Sequence, residues 1–142
     1  MRSRASRARP ASGSGTVTWC TGPVVLEHQI VPQLTAAASA GGRPSPRVVV
    51  ALPTIVTDDE TDGRVKAGEQ LAGYGDIPVY RAVLDQEGVA GPADISVVGD
   101  ERSVTAQLAR LAHIGGTDFV AIPTGTDTDR QRTLDHLASL DA

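Results

Sequence analysis

The sequence is poor in aromatic rings, cysteine and long apolar runs. One tryptophan, two tyrosines and one phenylalanine make only 3% of the 142 residues aromatic. Few rings are on hand to stack nucleobases, so nucleic-acid binding is disfavoured. The core has to be aliphatic, filled by Val, Leu, Ile and Ala. The single cysteine, Cys20, excludes an internal disulfide and fits a reducing compartment. No run approaches the roughly 18 apolar residues of a membrane span, and no stretch has the apolar middle of a secretory signal. The expectation is a cytoplasmic chain with no membrane partner.

Residues 1–15 lack any acid or bulky apolar side chain except the initiator Met1, and carry Arg2, Arg4, Arg7 and Arg9. Such a stretch is expected to be disordered. It resembles an organellar transit peptide in composition but lacks amphipathic bulk, which favours a leader without structural role or a start codon placed too early. Taking those four arginines away leaves nine cations against 17 acids, a net charge of −8, so the rest of the chain is acidic. With 40% hydrophobic residues, residues 16–142 suffice for one domain with a real core, but are short for a closed eight-stranded barrel.

The organising stretch is Arg47 to Asp59. Val48, Val49, Val50, Ala51 and Leu52 do not alternate with polar residues, so both faces must be covered, as in a parallel sheet under helices. Pro53 has no N–H to give, and regular pairing is expected to end near it. Thr57 with Glu60 reads as a capping box, and Asp58 and Asp59 place negative charge at the positive end of the next helix. Thr16 to Cys20 forms a second strand, followed by Thr21 or Gly22 as helix cap and Pro23 at the first helical position. Leu26, Ile30, Leu34 and Ala38 share a helical face, with Pro32 expected to start a fresh segment after a break. Helices are also expected from Glu60 to Ala72 and from Val79 to Glu87, then a loop from Gly88 to Gly99 containing an extended piece from Asp94 to Val98. A helix beginning near Asp100 carries Val104, Leu108 and Leu111. The third strand is Thr117 to Pro123, and a last helix, capped by Thr128 with Gln131, is expected to bury Leu134, Leu137 and Leu140.

The order is β-α-β-α-α-α-β-α, an α/β chain whose crossovers are long enough to make its three strands parallel. Ligands of such sheets sit at the carboxyl ends of the strands. The candidate pocket is therefore Trp19 to Gly22, Pro53 to Thr57 and Pro123 to Thr126, with Trp19, Thr21, Gly22, Thr124 and Gly125 as its cofactor or substrate residues. Trp19 either packs under the next helix or walls a pocket for a flat ligand. Gly125 between Thr124 and Thr126 could present N–H groups and hydroxyls to a phosphate, as any βα turn could.

Asp58 to Glu69 matches a calcium-loop pattern with Glu60 at the third position, but a strand, not a helix, leads into it, so calcium is not expected. His28, His113 and His136 fall on separate helices without ligand spacing and read as surface residues; no metal site is expected. Cys20 lacks a placed base and reads as a small buried hydrophobe.

Thr16 to Pro23, Gly42 to Val49 with Thr57-Asp58-Asp59, Tyr74 to Gly88, Val98 to Glu101 and Gly116 to Val120 together resemble the carboxyl-terminal part of the luciferase-like monooxygenase family, above all its coenzyme F-420-dependent oxidoreductases. The resemblance implies the last three βα units of a TIM (β/α)8 barrel. It implies F-420 or FMN as cofactor and a small organic substrate, with hydride transfer or oxygen activation at the flavin ring. By the same resemblance Trp19-Cys20-Thr21-Gly22 matches a substrate-side turn, and no catalytic residue can be carried over. The isolated chain is then expected to be inactive, or to function as a non-catalytic half-barrel that forms a homodimer or pairs with the missing part. A third reading is a small α/β domain for a phosphorylated ligand.

Overall fold

The structure, a computed structural model, describes residues 14–141. It is an α/β chain built on a four-stranded sheet whose pairings are all parallel. The strands are β1 (Gly15–Trp19), β2 (Arg47–Val56), β3 (Val97–Gly99) and β4 (Asp118–Pro123). The helices are α1 (Pro23–Val25), α2 (Val31–Ala40), α3 (Glu60–Gln70), α4 (Pro78–Glu87), α5 (Glu101–His113) and α6 (Asp127–Leu140). The leader reading falls on residues outside those described, apart from Ser14, whose carbonyl accepts the Arg47 N–H, and Gly15, which opens β1.

Ten-residue β2 is the centre. Its even-numbered backbone groups face β4: the Val48 and Thr54 carbonyls accept from Thr117 and Thr124. Its odd-numbered groups face the other edge, where Arg47 donates to Ser14 and Thr57 donates to Gly99. Strands β1 and β3 therefore lie end to end along one edge, β1 beside Arg47 to Ala51 and β3 beside Thr54 to Val56. The extended piece expected within the 88–99 loop is thus a fourth strand, preceded by a 3-10 turn at Pro92–Ile95.

This arrangement corrects the expectation for Pro53. Pairing does not end there, and β2 runs on to Val56. The nitrogen of Pro53 points to the odd-numbered edge, into the gap between β1 and β3, where no strand asks for its hydrogen. Proline is tolerated inside a strand where the N–H is not needed.

Pro32 likewise does not break the helix. A π-helical turn, Leu26–Ile30, joins α1 to α2, and the Val31 N–H reaches back five residues to the Leu26 carbonyl. A wider turn just ahead of Pro32 relieves the clash of its ring with the preceding turn.

The caps differ from expectation at two helices. Asp59, not Thr57, caps α3, accepting the Asp62 N–H at 2.9 Å, while Thr57 Oγ1 accepts the Asp59 N–H one step earlier. Thr126 with Asp129, not Thr128 with Gln131, forms the capping box of α6. Asp100 caps α5 and Gly22 caps α1 with Pro23 at its first position, as read from the sequence.

The core lies on the even-numbered face of β2. Val48, Val50 and Leu52 are each 1% exposed and share one apolar cluster with Leu26, Leu84, Val104 and Leu111. The last helix does not bury its leucines. Leu134 and Leu140 are exposed, and the residue α6 turns to the sheet is Thr133, whose Oγ1 accepts the Val56 N–H and donates to the Asp129 carbonyl. With about 100° between successive helix residues, Leu134 is rotated away from the face that Thr133 occupies. No helix among the described residues is long and apolar enough to cross a membrane.

Candidate functional site

All four strands point their carboxyl ends the same way, so the turns after β1, β2 and β4 gather at one end of the sheet. The turn after β1 is rigid. Cys20 has φ 50°, in the left-handed region, and is the only non-glycine residue with positive φ among those described. For a side chain bearing a Cβ this costs about 1–2 kcal/mol. Its thiol is 1% exposed, and burial pushes its pKa up to about 11, so it stays protonated and unreactive at neutral pH. Thr21 is buried and turns its hydroxyl back to the Trp19 carbonyl at 3.3 Å. Trp19 is half-buried and stands edge-on to Tyr74 with ring centroids 6.0 Å apart, and Tyr74 stands edge-on to Tyr80 at 5.0 Å. Three of the four aromatic residues of the chain thus form one wall.

The backbone donors behind that wall are already used. Glu87, at the end of α4, accepts the Val25 N–H on Oε1 at 2.8 Å and the Val24 N–H on Oε2 at 3.1 Å. A side chain at Gly22 would collide with that carboxylate, because a Cβ there would stand 2.7 Å from it. A side chain there would push Glu87 off the Val24 and Val25 N–H groups.

The turn after β4 is closed in the same manner. Thr124 is 1% exposed and gives both its N–H and its hydroxyl to the Thr54 carbonyl, at 3.0 and 3.3 Å. Gly125 has φ 92°. The phosphate-cradling groups expected here, the Thr126 N–H and hydroxyl, both donate to Asp129 Oδ2, at 2.9 and 2.8 Å. The same oxygen accepts from Lys66 at 3.0 Å. Burial by itself would raise the Asp129 pKa, but the Thr126 N–H, Lys66 and the Thr126 hydroxyl together hold it below the ordinary carboxylate value.

Between these turns lies a charged cluster that the sequence did not single out. Arg132 in α6 donates from Nε and Nη2 to the two oxygens of Glu101, at 2.7 and 2.8 Å, and from Nη2 to Asp58 at 2.8 Å. The two bonds from Arg132 depress Glu101 to about 2, Asp58 is lowered by the same guanidinium, and Arg132 is raised in return. His136, one turn on, meets Thr105 at 3.0 Å. The network clamps α6 to the starts of α3 and α5, and an open groove of about 850 Å³ runs along α6 beside it. No periodicity brings residues 58, 101 and 132 together; only the pairing of β2 with both β3 and β4 does.

The acids of the calcium-like stretch are spent in the same way: Asp58 on Arg132, Asp59 as cap, Glu60 on Arg64 and Asp62 on Lys66.

Trp19, Thr21, Gly22, Thr124 and Gly125 thus lie at one end of the sheet, on opposite edges of β2. Trp19 stands at the level of Ala51 on one edge of β2, and Thr124 follows Pro123, at the level of Thr54, on the other. A flavin-type cofactor with an anionic tail needs free backbone donors or cations near an apolar wall. These turns offer the wall, but the Val24, Val25 and Thr126 donors carry the chain's own carboxylates, so those donors do not fit the group.

The sequence matches no family model and no curated protein. Solved structures do share its fold. An F420-dependent secondary alcohol dehydrogenase, solved with an F420-acetone adduct, superposes over 88% of this chain with a TM-score of 0.64 at 15% identity, covering 42% of its own length. The coenzyme F420-dependent tetrahydromethanopterin reductase from Methanopyrus kandleri covers 87% of the chain and 43% of itself, with a TM-score of 0.57 at 17% identity. Apo-MsnO8 covers 82% and 41%, with a TM-score of 0.52 at 19% identity. The chain spans less than half the length of these structures, and at such identity the likeness is one of fold.

Proposed function

We propose that this chain is the carboxyl-terminal part of a luciferase-like (β/α) barrel, and that the complete barrel is a flavin- or F-420-dependent oxidoreductase acting on a small organic substrate in the cytoplasm. The observation that carries the reading is the superposition of 88% of the chain on an F420-dependent dehydrogenase. It is supported by the sequence words of that family and by the sheet, in which β1, β2 and β4 stand side by side in chain order, each followed by a helix. Trp19, Thr21, Gly22, Thr124 and Gly125 then belong to the rim of the barrel mouth, with the Trp19–Tyr74 pair as an apolar wall. The chemistry is that of the cofactor. No step is assigned to residues of this chain, because the Val24, Val25 and Thr126 N–H groups already hold Glu87 and Asp129.

A second reading, a non-catalytic half-barrel that pairs with itself or with another chain, is favoured by one specific observation. Val17 is 68% and Val120 44% exposed on the face of the sheet opposite the core, and among the described residues β1 and β4 each keep an unpaired edge. Natural sheets avoid such edges or cover them. The phosphate-binding reading is disfavoured by Asp129, which occupies the place of the anion.

The test uses two proteins: the chain itself, and a chimaera that sets the unmatched part of the secondary alcohol dehydrogenase before Thr16. F-420 and FMN binding is followed by fluorescence and turnover by cofactor absorbance. The chain alone should show no steady turnover, and the chimaera should bind F-420 or FMN with micromolar affinity. Micromolar affinity with turnover in a monomer of the isolated chain would overturn the fragment reading. A folded chimaera that binds neither cofactor would overturn the flavin reading and leave the half-barrel.

A further inference from the structure

The end-to-end placement of β1 and β3 has a structural cost. Trp19 lies at the level of Ala51 and Val97 at the level of Thr54, so Leu52 and Pro53 have no strand beside them on that edge of β2. On the helix-covered face a cavity of about 170 Å³ opens against Leu52. Its apolar lining is Leu52, Val97, Ile95 and Leu111, all buried, with Pro23 of α1 at the side.

Three charged residues stand around this cavity, and two of them are committed elsewhere. Arg64 gives its guanidinium to Glu60 and to the Ala93 and Ser96 carbonyls. Asp94 accepts the Ala90 and Gly91 N–H groups. Arg110 of α5 is exposed, and its guanidinium has no hydrogen bond or ion pair to any described residue. Gln107, one turn before it, is held by the Val98 carbonyl and Ser103 Oγ. Arg110 is therefore the one charged side chain lining this cavity without a hydrogen-bond partner among the described residues, beside an apolar floor and with the Asp94 carboxylate still negative at the rim.

We propose that this cavity binds a small monocarboxylate, with its tail on Leu52, Val97 and Leu111 and its carboxylate on Arg110. An apolar cavity of about 150 Å³ takes a benzene ring, so the tail is short, an acid of about four to six carbons. Guanidinium pairs with carboxylate through two parallel hydrogen bonds. Inorganic phosphate is excluded, because most of its oxygens would face aliphatic side chains without donors. The cavity is on the opposite face of the sheet from Val17 and Val120, so the ligand would act on the fold from outside the barrel interior. The inference stands whether or not the oxidoreductase reading does.

The probe is hexanoate, titrated into the whole chain and followed by amide NMR, with 1-hexanol and inorganic phosphate as comparisons. Saturable shifts are expected at Val97, Gln107 and Leu111 with hexanoate, about tenfold weaker binding of hexanol, and none of phosphate at these residues. Arg110→Gln should weaken hexanoate about tenfold and leave hexanol unchanged, while Arg102→Gln, on the same helix but away from the cavity, should leave both unchanged. Hexanol binding as tightly as hexanoate would reduce the site to an apolar void and overturn the proposal, and this comparison needs only the native chain. Phosphate shifting the same residues, or hexanoate failing to shift them in the folded chain, would overturn it as well.

Discussion

The even- and odd-numbered side chains of β2 live in different surroundings. Val48, Val50, Leu52, Thr54 and Val56 are at most 1% exposed, under helices and neighbouring turns. On the other face Val49 is half-buried, and its neighbours Val17 on β1 and Val120 on β4 are open to solvent. From Ala51 on that face is buried as well: Ala51 is 7% and Ile55 0% exposed, and Gly63 of α3 comes so close that a Cβ would strike the Val98 side chain. The strand is thus finished on its even-numbered face throughout and on its odd-numbered face only from Ala51 on, which leaves the Val17–Val49 end unfinished. Breaking the finished face should be costly, and altering the unfinished one should not.

The largest effect is expected at Leu52. Truncation to alanine removes a side chain that is 1% exposed, beside a cavity already present, and should cost about 2–5 kcal/mol. Urea unfolding followed by circular dichroism measures it. A loss below about 1 kcal/mol would mean that the helix-covered face is not the core.

Next comes Thr133. Replacing it with valine keeps the volume but leaves the buried Val56 N–H without an acceptor, at a cost of about 1–3 kcal/mol. Serine at this position should restore most of the loss, since it retains the hydroxyl. If valine is tolerated without penalty, α6 does not dock on β2 through this bond.

A smaller effect, visible through pH, belongs to the surface clamp. Glu101 titrates near 2 in the folded chain against an ordinary 4.5. Its depressed pKa therefore adds stability that is present above about 4.5 and is lost as pH falls through about 2. Both partners are more than a third exposed, so solvent screens the pair and it is worth at most about 1 kcal/mol. Melting temperatures of the native chain and Arg132→Gln should differ at pH 6 and converge toward pH 2. A gap that stays constant over that range would show that the clamp is not carried by Glu101.

The sequence disclosed a good part of the fold, for identifiable reasons. Runs such as Val48 to Leu52 announce a buried parallel strand, and Gly22-Pro23 and Asp100 announce helix starts, because these signals are local. Pro53 misled because its tolerance depends on a gap between two strands distant in sequence. Leu134 and Leu140 misled because helical spacing shows that a stripe exists, not what lies against it. Of the site, the shared end of the strands was legible from the parallel order alone. The plugging of its donors by Glu87 and Asp129, and the meeting of Asp58, Glu101 and Arg132, were not, since each is a contact between separate elements that no spacing rule records.

The smallest effect is expected on the open face, at Val17, and it tests the comparison most directly. Val17 is 68% exposed, so changing it to threonine, which keeps the branched shape and the strand preference, removes almost no buried contact. Stability should shift by no more than about 0.5 kcal/mol, the usual range for surface substitutions. The two readings of the chain then separate by association, not by melting. A free face gives the same sedimentation for both proteins at every concentration, whereas a face that pairs with a second copy gives a native chain that associates more tightly than the variant, because a hydroxyl now has to be buried without a partner. A loss of 1 kcal/mol or more in a monomeric, dilute sample would contradict the comparison itself, since it would mean that Val17 is already packed against part of this chain.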